Sequence, residues 1–141
     1  MKVYLDTCAL FKLYHNEQGA DEIENIFIQN KVSGLFLSEI TKIEFVSTVW
    51  KKARMKDITE KKAIALIRLF ENDFGKFTFI QVDSIIIEQS KDFILKYGRE
   101  GLRTLDSIQL ATSVMLKVQI DLFKTTDKLL DKFFKSEGLP T

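Results

Sequence analysis

Lys2-Val-Tyr-Leu-Asp-Thr7 decides how the rest of the chain is read. Val3-Tyr4-Leu5 is a short apolar run that stops at an acid and passes into a stretch with helical spacing, the pattern of a buried strand whose end delivers a carboxylate. The same punctuation returns three times. Gly34-Leu-Phe-Leu37 stops at Ser38, Phe77–Val82 stops at Asp83, and Ile120–Phe123 stops just before Thr125. Between these four candidate strands, helical periodicity spans Ala20–Asn30, Glu39–Met55, Glu60–Phe74, Ile85–Tyr97 and Leu105–Lys117, with a short last helix over Lys128–Phe134. Thr59 and Thr104 are the expected N-caps. Strands separated by helices require right-handed crossovers, so the fold class is α/β, with a central, mainly parallel sheet and helices on both faces. In sheets of this kind, ligands bind beyond the carboxyl ends of the strands.

Composition narrows the class further. At 141 residues the chain is read as one domain, residues 1–141, and 45% apolar with 29% charged residues is enough for a core. The longest apolar run, Ala63–Ile67, is far too short to span a bilayer, and no basic-then-apolar leader opens the chain, so a soluble cytoplasmic protein without membrane contact is expected. One cysteine, Cys8, and one histidine, His15, exclude an intrachain disulfide and a tetrahedral zinc site of nitrogen and sulfur ligands. Any metal therefore needs oxygen ligands. A net charge of +1 provides no global field for nucleic acid, so binding of that kind needs a local patch.

Four acids fall where such ligands would be wanted. Asp6 ends the first strand and Asp127 closes Leu122-Phe-Lys-Thr-Thr-Asp127 after the last, and each reads equally as the cap of the helix that follows. If those two strands are neighbours, the carboxylates converge. Glu44 lies at the margin of an apolar arc formed by Ile40, Ile43, Val46, Val49, Trp50 and Ala53, and reads either as a site residue or as a boundary acid paired with Lys51. Asp106 opens Leu105-Asp-Ser-Ile-Gln-Leu-Ala111 near a helix N-terminus, where the dipole favours an acid in any case. Closely spaced carboxylates repel one another unless a cation neutralises them, and a hard divalent ion takes a few carboxylates plus water and phosphate oxygens. Such an ion can activate water for in-line attack on a phosphodiester.

Val3-Tyr-Leu-Asp-Thr7, Ile43-Glu-Phe-Val46, Leu105-Asp-Ser-Ile-Gln-Leu-Ala111 and Thr125-Thr-Asp127, in this order and with gaps of 38, 62 and 21 residues between successive acids, resemble the PIN-domain ribonucleases. Among these the chain is most similar to the small VapC-like toxins of toxin–antitoxin pairs. The resemblance implies an α/β/α sandwich with strand order 3-2-1-4-5, Mg²⁺ or Mn²⁺ as cofactor, endonucleolytic cleavage of RNA, a homodimer and a small cognate antitoxin. It also implies that Asp6, Glu44, Asp106 and Asp127 are both the metal ligands and the catalytic residues, with Thr7 and Thr125 beside them as substrate contacts. Cys8 stands where the family often has serine. The fifth strand would have to come from Gly138–Thr141, where Pro140 limits it to a short edge or to nothing.

Other features carry competing readings. Cys8 and His15, seven residues apart, would be about 10 Å apart along a helix, too far for a nucleophile pair. Trp50-Lys-Lys-Ala-Arg-Met-Lys56, with Lys61 and Lys62, reads as a solvated helix end or as a phosphate-tracking patch. Arg103 is a candidate substrate phosphate contact, or a partner for a nearby acid. Phe70, Phe74, Phe77 and Phe79 read as core or dimer interface. A phosphoaspartyl hydrolase would need a second acid where Cys8 stands, and a receiver domain would need one where Leu5 stands. An RNA-processing nuclease without a toxin role shares the same residues. A silent PIN-like binding module would have lost the acids, and all four are present.

Overall fold

The computed structural model describes residues 1–141. Its sheet has four strands, β1 (Lys2–Leu5), β2 (Gly34–Ser38), β3 (Phe77–Ile80) and β4 (Leu122–Lys124), in the order β3-β2-β1-β4 with every pair parallel. Seven helices connect and cover them: α1 (Thr7–Phe11), α2 (Ala20–Gln29), α3 (Thr41–Arg54), α4 (Glu60–Asn72), α5 (Ser84–Tyr97), α6 (Thr104–Met115) and α7 (Lys128–Ser136). The α/β class and the order 3-2-1-4 agree with expectation. No fifth strand forms: Gly138–Thr141 lies beside β4, where the Pro140 carbonyl accepts one bond from Phe123 N–H at 2.8 Å. Proline has no N–H to return, so the ladder stops there.

Strand pleating divides the core in two. Val3 and Leu5 point to one face and pack with Leu10, Phe11, Ile23, Phe45, Leu66 and Phe70 from α1–α4. Tyr4 and Phe123 point to the other and pack with Tyr97, Leu110, Leu130, Phe133 and Phe134 from α5–α7. Successive residues of β1 are fully buried on opposite faces, which explains its unbroken apolar run.

The buried arc of α3 differs from the expected one. Ile43 is 70% exposed, while Thr41, Phe45 and Val49 face the core. Ile43 and Phe45 are about 200° apart on a helix, so only one of them can face inward. The larger ring wins, stacking on Phe70 at 4.1 Å and meeting Phe11 at 5.4 Å and Tyr14 edge-on at 5.2 Å. Phe70 is core, and Phe74, Phe77 and Phe79 extend the cluster as partly buried residues. Phe45→Ala is accordingly expected to lower stability by about 3–5 kcal/mol, read by urea unfolding.

Two further local expectations change. Thr59 caps α4, accepting from Lys62 N–H at 3.1 Å, but Thr104 is the first residue of α6, not its cap. The first helical bond, Ser107 N–H to Arg103 C=O at 2.9 Å, starts the helix one residue earlier. Helix α1 ends at Phe11, so Cys8 and His15 do not share a helix, and the His15 ring packs against Phe11 at 5.7 Å.

Candidate active site

Parallel pairing of β1 with β4 sets Leu5 opposite Lys124, so the residues just past each strand meet at the carboxyl edge of the sheet. Asp6 caps α1, accepting from Ala9 N–H at 2.9 Å, and Asp127 caps α7, accepting from Leu130 N–H at 2.8 Å. Capping and convergence coexist, because a cap satisfies only part of a carboxylate's capacity. Glu44, in the first turn of α3, and Asp106, in the first turn of α6, enter the same space. Asp6, Glu44, Asp106 and Asp127 line one cleft of ≈ 130 Å³, together with Thr7, Cys8, Thr48 and Gln109. Glu44 does not pair with Lys51.

The acids disturb one another in series. Asp6 is 4% exposed, and burial, with the charge of Glu44 adding to it, pushes its pKa up to about 6 against bonds from Thr125, Ala9 and Cys8 that favour the charged form. Glu44 is raised by burial and by Asp106, and Asp106 by burial and by Asp127. A cation among them would relieve all three links at once. The donors are oxygens only, as a hard ion prefers. No three acidic side chains are placed so that all could hold one ion directly. That arrangement suits an ion such as Mg²⁺, which keeps several waters and takes one or two carboxylates.

The hydroxyl and thiol groups around the acids are committed to them. Thr125, 8% exposed, donates to Asp6 Oδ2 at 2.6 Å and accepts from Asp127 N–H at 3.0 Å, tying the two strand-end acids together. Cys8 Sγ donates to the same Asp6 oxygen at 3.0 Å and stands 3.4 Å from Thr125 Oγ1. Burial and the charge of Asp6 push its thiol up to about 12, so it is a donor here and not a thiolate nucleophile. Thr7 lines the cleft and donates to Glu44 Oε1 at 2.8 Å. Arg103 is 79% exposed, its Nε 3.5 Å from Asp106, in a shallow depression of ≈ 370 Å³ that shares Glu44 and Asp106 with the cleft. At Asp127 the cleft adjoins a wider groove of ≈ 920 Å³ with no hydrophobic lining and with Lys12, Lys124, Lys128 and Lys135 on its walls.

Two residues of this site were not expected from sequence. Gln109 reaches Glu44 Oε1 at 2.9 Å, and Thr41 stands behind it at 3.4 Å. Both had a signal: Gln109 follows Asp106 by three positions and Thr41 precedes Glu44 by three, the spacing of helix-face neighbours. The basic stretch around Trp50–Lys56 lines neither the cleft nor the two depressions beside it, and Lys52 is tied to Glu17 at 2.8 Å.

The model of the PIN domain family matches residues 3–134. The chain belongs to the PIN domain family. No curated protein matches this PIN domain closely. Among solved structures it is similar to Mycobacterium tuberculosis VapC20, a toxin that cleaves the sarcin-ricin loop, with 14% identity, TM-score 0.68, and 92% of this chain and 93% of that one covered. It is similar to a toxin–antitoxin complex from Klebsiella pneumoniae, with 20% identity, TM-score 0.62 and coverage of 89% and 88%. FitAcB from Neisseria gonorrhoeae gives 15% identity, TM-score 0.69 and coverage of 98% and 94%. At these identities the likeness is one of fold. No helix of this PIN domain is long and apolar enough to cross a membrane.

Proposed function

We propose that this PIN domain is a metal-dependent endoribonuclease, hydrolysing RNA phosphodiester bonds with Mg²⁺ or Mn²⁺, and the cytoplasmic toxin of a toxin–antitoxin pair. The observation that carries the reading is the meeting of Asp6, Glu44, Asp106 and Asp127, drawn from four separate segments, in one cleft at the carboxyl edge of the sheet. The likeness to a toxin and to a toxin–antitoxin complex supports an antitoxin as partner; that the antitoxin is small and the chain a homodimer rests on the family resemblance alone. When bound, the ion supplies Lewis-acid activation of water and neutralises charge on the phosphate.

The chain's own residues do the rest. One or two of the four carboxylates would hold the ion directly and the others would reach it through its waters, while Thr125 and Cys8 fix the oxygen of Asp6 to which they donate. Thr7 orients Glu44. Arg103 on one rim and Lys128 on the other offer cations to the flanking phosphates of a strand laid across the cleft. Thr125, expected as a substrate contact, is enclosed and bonded to Asp6, so its role is to position that acid. The test is cleavage of total bacterial RNA by the purified chain. Activity is expected to vanish in excess EDTA and return with Mn²⁺ or Mg²⁺, and full activity in EDTA would end the metal mechanism.

A further inference from the structure

The two oxygens of Glu44 are in different states. Oε1 accepts the Thr7 hydroxyl at 2.8 Å and Gln109 Nε2 at 2.9 Å, whereas no protein group donates to Oε2. A carboxylate oxygen has about two lone-pair sites, so Oε1 is filled and Oε2 alone is free. Gln109 is in turn held from behind. It is 2% exposed, and its own Oε1 accepts the hydroxyl of the fully buried Tyr4. Turning the amide over would set its carbonyl oxygen against the Glu44 carboxylate and lose the Tyr4 donation, and a buried acceptor facing an anion is costly. Nε2 also lies 3.3 Å from Thr7 Oγ1, so β1 and the start of α1 both lock an amide carried by α6.

We infer that Gln109, held by Tyr4, is a positioning residue that makes Glu44 a one-oxygen donor to the cleft and so selects a small octahedral cation, Mg²⁺ or Mn²⁺, against Ca²⁺. The inference rests on the metal-site reading given above. Ca²⁺ takes six to eight oxygens and readily uses both oxygens of one carboxylate, whereas Mg²⁺ takes six at shorter range and keeps several waters. Mn²⁺ shares that oxygen preference. For Glu44 to chelate Ca²⁺ with both oxygens, the bonds from Thr7 and Gln109 to Oε1 must yield. Discrimination then comes from the residues behind the ligand.

The experiment measures Mn²⁺ and Ca²⁺ dissociation constants separately, by calorimetry on the full chain, for the wild type and Gln109→Met. Methionine keeps the length and volume of the side chain and removes its amide. The wild type is expected to prefer Mn²⁺, and in the variant the ratio of the Ca²⁺ to the Mn²⁺ constant is expected to fall on the order of tenfold, the scale on which groups behind metal ligands act. Packing damage alone would weaken both ions together and leave the ratio unchanged. A ratio within twofold of the wild type's therefore overturns the inference, as does a wild type that does not discriminate between the ions. Tyr4→Phe removes only the phenol oxygen and keeps the ring against Phe123, at 5.8 Å between centroids, so it carries the test if Gln109→Met does not fold. Its ratio is expected to move in the same direction, and an unchanged ratio there also overturns the inference. A wild type that binds neither ion removes the metal-site reading and this inference with it. An Mn²⁺ preference lost in Glu44→Gln but kept in Gln109→Met removes this inference alone.

Discussion

Asp6→Asn is expected to lower RNA cleavage by at least about 10³-fold while making the metal-free protein more stable at pH 7.5. The loss of activity follows from removing a charged oxygen ligand whose electrostatic contribution to the transition state is several kcal/mol. The gain in stability follows from the environment of Asp6. Its pKa lies near 6 in the folded chain against an ordinary value of 3.8, raised by burial and by Glu44. Below pH 3.8 the group is protonated in both states and contributes nothing. Between 3.8 and 6 the unfolded chain releases a proton that the folded chain keeps, so stability falls as pH rises, by up to about 3 kcal/mol at pH 7. Asparagine has no charge to bury and is as good an N-cap, so the bond from Ala9 survives. The amide NH2 that replaces Oδ2 cannot accept, so the bonds from Thr125 and Cys8 are lost in their present direction, leaving a net gain of about 1–2 kcal/mol at pH 7.5 and none near pH 4. Urea unfolding in EDTA at the two pH values, with a cleavage assay in Mn²⁺, reads both effects. A variant destabilised at pH 7.5, or one with unimpaired cleavage, would contradict the account.

The same acids show what was legible in the sequence and what was not. Asp6 and Asp127 could be found because an apolar strand that ends in an acid places that acid by covalent geometry, and neighbouring strands then bring the two together. Asp106 and Glu44 could be found as acids inside apolar helical runs. Thr7 and Thr125 could be found beside Asp6 and Asp127, and Gln109 one turn from Asp106, but the pairing of Gln109 with Glu44 could not. Gln109 lies 65 positions from Glu44, and its amide reads as an ordinary polar residue until α6 is seen packed across the sheet from α3. The face of α3 was misjudged for a related reason: Ile43 and Phe45 are both apolar, and the choice between them depends on Phe70 and Phe11, which lie elsewhere in the chain. Periodicity reports which residues are apolar; it does not report which cavity their volume fills.

Expressed alone in a bacterial host, the chain is expected to arrest growth, and Asp6→Ala is expected to abolish the arrest while the protein still accumulates. The proposed antitoxin supplies the second half of the experiment. Asp6, Glu44 and Asp106 are raised by burial and, beyond it, by the charge of Glu44, Asp106 and Asp127 in turn, and any cation placed among them removes that repulsion, whether an ion or the guanidinium of a partner's arginine. Arginine suits the task because its planar fork meets carboxylates through two bonds and stays charged when enclosed. A partner segment that delivers such a group would displace the metal and obstruct the substrate in one step. Co-expression of the neighbouring open reading frame is therefore expected to restore growth, and in vitro its inhibition is expected to weaken as Mn²⁺ is raised, because the two cations compete for one set of oxygens. Inhibition that ignores Mn²⁺ would move the partner away from the acids to another surface. A chain that cleaves RNA in vitro yet leaves growth untouched is a processing nuclease: the toxin role then falls, and the catalytic reading of the four carboxylates stands.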